Sequence, residues 1–117
     1  MYLEIWINIL IIMFDSEFIL TTPDEVIKIL SERLKKRRLE RGLTRAGLQA
    51  LTGVPKASIA RFEMTSKVSL ESFVKVAMAL GYVDELEKLF NEPKFNTLEE
   101  MELIKKNADR KRGSRKV

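Results

Sequence analysis

The tightest constraint on this chain is a regular alternation of helix starts and helix stops between Thr22 and Gly81. Thr22, Pro23, Asp24 and Glu25 supply the cap, first-turn proline and first-turn acids that open a helix, and Gly42 closes it. Ile27, Leu30 and Leu34 fall on one face of that helix at helical spacing. Thr44 caps a second helix running to about Thr52, with Leu48 and Leu51 turned inward, and Gly53 breaks it. After a turn at Val54 and Pro55, a third helix runs from Lys56 to about Glu63. It carries Ile59 and Phe62 to the core and leaves Lys56, Ala57, Ala60 and Arg61 facing outward.

Two short helices joined by a tight turn containing glycine form a helix-turn-helix unit. Such a unit buries too little surface to stand alone, so it needs the first helix beneath it and another behind. The second support follows at once: Ser69 caps Leu70 to Leu80, with Phe73, Val74, Ala77 and Leu80 apolar and Gly81 closing. Val83 to Phe90 forms a fifth helix with Leu86, Leu89 and Phe90 on one side. Past the connector Asn91 to Asn96, Thr97 and Glu100 make a capping box for a sixth helix, Leu98 to about Ala108. The remainder is polar and basic and is expected to be disordered when unbound. The expected fold is all-α, divided into an apolar N-terminal extension at 1–21, a helical domain at 22–91, and a C-terminal helix with a basic tail at 92–117.

Function classes narrow by elimination. The chain is 117 residues long with no Cys and no His. Thiol nucleophiles, disulfides, imidazole bases and Cys/His zinc sites are therefore excluded. No Gly-rich phosphate loop, paired-acid motif or Ser-Lys signature is present, so no catalytic residue, cofactor or metal is expected, and the chain is read as not an enzyme. Charge is unevenly spread. Residues 28–45 hold eight bases and two acids, and Lys105 to Val117 holds seven bases and one acid, whereas 46–104 holds six bases and nine acids. The basic blocks are either solvated faces or the footprint of a polyanion. The cations at the end of the first helix also suit its dipole.

The apolar run Met1 to Phe14 lacks a basic leader, contains Glu4, and is shorter than the roughly 20 residues that a membrane-crossing helix needs. Three readings fit it: a short strand, a helix packed on another chain, or an over-extended reading frame whose natural start is Met13. No membrane partner is expected, and the chain is placed in the cytoplasm.

The stretch Leu34 to Leu80, LKKRRLERGLTRAGLQALTGVPKASIARFEMTSKVSLESFVKVAMAL, resembles the Cro/C1-type (XRE) helix-turn-helix regulators over about 47 of the 117 residues. Gly42-Leu43-Thr44, Leu48, Gly53-Val54, Ser58-Ile59 and Phe62-Glu63 carry the likeness. The resemblance implies a five-helix lambda-repressor-like domain in which Glu63 pairs with Arg38 on the first helix. One position and one turn depart from the family pattern. Gly47 stands where a long helix former is usual, at a cost of about 1 kcal/mol. Met64-Thr65-Ser66-Lys67 replaces a glycine-containing turn. Thr21-Thr22-Pro23, Arg61 to Thr65 running into Val68 to Ser72, Leu89-Phe90 before Pro93, and the Leu98 helix with its basic tail further resemble HipB-type antitoxins, which implies a HipA-type toxin kinase as partner and, as an alternative to repression, a module that mainly neutralises that toxin.

A regulator of this kind is expected to bind double-stranded DNA, as a repressor and as a homodimer on a palindromic operator. The third helix enters the major groove with Lys56, Ala57, Ala60 and Arg61 toward base edges. Arg61 and Lys56 reach guanine acceptors, and Ala57 or Ala60 packs a thymine methyl. Thr44, Arg45 and Ser58, at helix N-termini, and Lys67 contact phosphates. For Lys56, Arg61 and Lys67 the alternative is ordinary surface polarity. Val83, Leu86, Leu89, Phe90, Phe95, Leu98, Met101 and Leu103 serve either a dimer surface or core packing within one chain. The tail from Lys105 tracks phosphates, docks on a partner protein, or only solubilises.

Overall fold

A computed structural model of the chain describes residues 2–8 and 21–116, and among these residues every regular element is a helix. Residues 2–8 are helical, so the strand reading does not apply to them. The remainder of the apolar run, and the Met13 start, lie outside the described residues. The elements that follow are α1 (Pro23–Glu40), α2 (Arg45–Thr52), α3 (Lys56–Thr65), α4 (Leu70–Ala79), α5 (Val83–Lys88) and α6 (Leu98–Lys106). The chain divides into two units, Met1–Tyr82 and Val83–Val117.

The starts and stops behave as local chemistry dictates. The Thr22 hydroxyl accepts the Glu25 amide while the Glu25 carboxylate accepts the Thr22 amide, a reciprocal capping box. Thr44 accepts from the Gly47 amide, and Ser69 from the Ser72 amide. Gly53 ends α2 in the left-handed region at φ 76°, where an L side chain is strained. Helix α3 runs past Glu63 to Thr65 and ends on Ser66, also left-handed at φ 61°. The turn that lacks the family's glycine therefore adopts a glycine-like backbone all the same. Ser66 is held there from outside, since its hydroxyl lies 3.1 Å from that of Ser31. Ser31 already donates its single hydroxyl proton to the Lys28 carbonyl, which makes Ser66 the donor of the pair.

The core of the first unit consists of Leu48, Val54, Ile59, Val76 and Leu80, with Leu34, Leu43, Ala79 and Tyr82 packed against it. Phe62 is also buried and meets Phe73 edge to face at 6.2 Å between ring centres. Several inward assignments change. Ile27 and Leu30 are exposed, and the inward face of α1 is instead Ser31, Leu34 and Arg38. Two of these three are polar, which hides the face from an apolar pattern. Leu51 is 62% exposed, because α2 is only eight residues long and presents one narrow stripe, centred on Leu48, to the core. Ala60, expected outward, is half-buried. In α4, Val76 joins Ala77 and Leu80 in the core, while Phe73 and Val74 are half-buried.

In the second unit α5 stops at Lys88, two residues short of Phe90, which is left-handed at φ 60° and 91% exposed. Thr97 caps α6 by accepting the Glu100 amide, but the Glu100 carboxylate takes the Asn96 amide in place of that of Thr97. Helix α6 ends at Lys106; residues 107–109 make one turn, and 110–116 form no regular element.

Candidate nucleic-acid interface

Helix α3 begins without a side-chain cap of its own, since Pro55 occupies the N-cap position. Its first amide is satisfied from α2: the Gln49 side-chain carbonyl accepts from the Lys56 amide at 2.7 Å. The intervening turn is fastened at its other end by Thr52, whose hydroxyl donates to the Leu48 carbonyl at 2.7 Å and accepts the Val54 amide at 3.1 Å. Val54 plugs into the core beneath. With Ile59 and Phe62 buried on one side, the helical period turns Lys56, Ala57, Arg61 and Met64 to solvent. Met64, which the helical pattern alone does not mark as part of the site, extends this face by a further turn.

The acid at the base of α3 is the electrostatic anchor. The Glu63 side chain is 3% exposed, and both of its oxygens are engaged by Arg38, Nε to Oε2 at 2.8 Å and Nη2 to Oε1 at 2.9 Å. Arg38, itself buried, also donates to the Leu43 carbonyl at 2.7 Å. Burial alone would raise the Glu63 carboxyl, but hydrogen bonds from Arg38 and then Arg45, with the attraction of both charges, hold it below its ordinary value. Arg45 donates through Nε to Oε1 at 2.9 Å with its side chain about one-third exposed. The structure thus gives Arg45, expected at a phosphate, a structural engagement with Glu63.

Three of the expected contact residues converge. Ser58, Arg61 and Lys67 line a cavity of about 400 Å³ together with Val68, Ser69 and Ser72. The cavity opens at the N-terminus of α4, where Ser69 is the cap. Two cations, three hydroxyls and a helix start around one hollow make an anion-accepting surface. Ser69 was legible as a cap, but nothing local marks it or Ser72 as a wall shared with α3. Lys56 and Ala57 lie outside this cavity on the exposed first turn of α3, and Thr44 stands at the start of α2. Ala60, half-buried, presents only part of its methyl.

A family model described as Helix-turn-helix matches residues 34–88. This segment is a helix-turn-helix domain of the Cro/C1 (XRE) type. The domain belongs to a class of DNA-binding transcription regulators, and α2 and α3 are its two defining helices. The matched span takes in both Arg38 and Glu63, so the buried ion pair is internal to the helix-turn-helix domain. No curated protein and no solved structure matches the chain. Among the described residues, no helix is long and apolar enough to cross a membrane.

Proposed function

We propose that the protein is a sequence-specific repressor that binds double-stranded DNA as a homodimer on a palindromic operator. The observation that carries this reading is the outward face of α3, where Lys56, Ala57 and Arg61 stand exposed on a helix whose opposite side is locked into the core by Ile59 and Phe62. Arg61 spans guanine O6 and N7, Lys56 reaches a neighbouring acceptor or phosphate, and Ala57 with Met64 offers apolar contact to thymine methyls. The hollow formed by Ser58, Lys67, Ser69 and Ser72 beside Arg61 receives a backbone phosphate and sets the register. Thr44 adds a contact from the start of α2.

One such module makes too few contacts for tight selection, and two-fold pairing on half-sites about one helical turn apart supplies the rest. The exposed apolar residues of the second unit, Leu89, Phe90, Phe95 and Leu98 among them, are the surface for that pairing. The same surface suits a second role for the regulator, as the antitoxin of a HipA-type kinase, in line with the HipB-like stretches of the sequence. Co-purification of a kinase with the protein tests that role.

Selection from random duplexes followed by titration tests the main reading. Arg61→Ala is expected to cost about 1 to 3 kcal/mol and to relax preference at one base pair, whereas Lys67→Ala weakens all duplexes alike. Binding that ignores both changes would refute the assignment of α3 to the groove.

A further inference from the structure

The second unit holds a concave basic surface that the helix-turn-helix domain does not use. After α6 the chain turns on the Asn107 carbonyl, which accepts the Arg110 amide at 3.0 Å, and the Arg110 guanidinium is held to the Ser114 hydroxyl. Residues 110–115 come round beside the last turn of α6 and enclose a hollow of about 620 Å³. Its charged lining is Lys106, Arg110, Lys111, Arg112 and Arg115, with no carboxylate among the lining residues. Asp109, the single acid between Lys105 and Val117, does not line it. None of these cations takes part in the salt bridges found among the described residues.

Cations gathered round one space without counter-charge repel one another, and an extended polyanion relieves that repulsion most completely. Arginine predominates in the lining, and its planar fork matches phosphate oxygens two at a time. The hollow is open and rimmed by long cationic side chains, which suits a sugar–phosphate ridge. A duplex held by the helix-turn-helix domain of the same chain presents phosphodiesters to it at high effective concentration.

We infer that the turn from Lys106 to Arg115 is a second phosphate-binding surface, engaging the backbone of the same duplex that α3 reads. This rests on the function proposed above. It predicts a split between affinity and selectivity: the turn adds salt-dependent grip, and the bases read stay those reached by α3.

The test uses the full chain, the duplex found by selection, and a variant combining Arg110→Gln, Lys111→Gln, Arg112→Gln and Arg115→Gln. The dependence of log Kd on log salt should flatten by about 0.9 for each phosphate that is no longer neutralised, to a maximum of about 3.6, with base preference unchanged. Hydroxyl-radical footprints should show less protection outside the stretch covered by α3. Circular dichroism should match that of the wild type, and the four single variants, each expected to flatten the slope by at most about 0.9, replace the combined one if its helicity falls. An unchanged slope in a helical variant overturns the inference. Failure of the wild-type chain to bind any duplex overturns the proposed function and this inference together. If Arg61→Ala relaxes preference while the tail variant keeps the wild-type slope, only the inference about the tail falls.

Discussion

Between two guanidiniums at the inner side of α3, the Glu63 carboxylate has almost no access to water, and this geometry sets its response to substitution and to acid. Glu63→Gln leaves Arg38 buried without a counter-charge and should destabilise the domain by about 3 to 5 kcal/mol, read from urea or thermal unfolding. Because the folded state holds this carboxyl below its ordinary value of 4.5, its contribution is present in full above that value. It is lost as pH falls further and the folded group takes up its proton. Unfolding curves of the wild type should weaken across that acid window more than those of the Gln variant. At Ser66 the sign reverses. Glycine at this left-handed position removes a strain of about 1 to 2 kcal/mol, and Ser31 keeps its own bond to Lys28. Ser66→Gly should therefore raise the melting temperature modestly. The Arg38–Glu63 pair was legible because it is part of a motif. The Arg45 arm and the Ser31–Ser66 bond were not, since each joins residues far apart in the chain and neither has a hydropathic signature.

At the scale of elements, capping explains why boundaries were legible and faces less so. A cap is written within four residues, so Thr22, Thr44, Ser69 and Thr97 announce their helices locally. A buried face depends on what lies opposite. Leu51 belongs to an apolar pattern that no partner meets, whereas Ser31 is buried with its hydroxyl facing that of Ser66 at the end of another helix. Gly47 has a similar explanation. A Cβ there would stand 3.3 Å from the Thr44 hydroxyl that caps its own amide, so the missing side chain keeps the cap uncrowded. The cross-helix cap from Gln49 supplies the prediction at this scale. Gln49→Ala removes the acceptor for the Lys56 amide and should cost about 0.5 to 2 kcal/mol, with faster hydrogen exchange confined to the first turn of α3.

For the whole molecule, the distribution of buried side chains is uneven. Every buried residue among those described lies between Ser31 and Leu80. A fragment spanning 21–82 should thus unfold in one cooperative step, as followed by circular dichroism in urea. Residues 83–117 alone should show little helix, since α5 has six residues and α6 nine, below the roughly 12 to 15 at which isolated helices become marginal in water. That contrast was hard to see in composition, because Leu86, Leu89 and Phe90 form as good an apolar stripe as those that do enter a core. The fastening of α2 to α3 by Thr52 on one side and Gln49 on the other has a thermodynamic corollary. A reading head already in its working shape needs no backbone ordering on docking, so only the side chains of its exposed face lose freedom. Calorimetry of the fragment with a single half-site duplex should then return a heat-capacity change no larger than the dehydrated contact area accounts for.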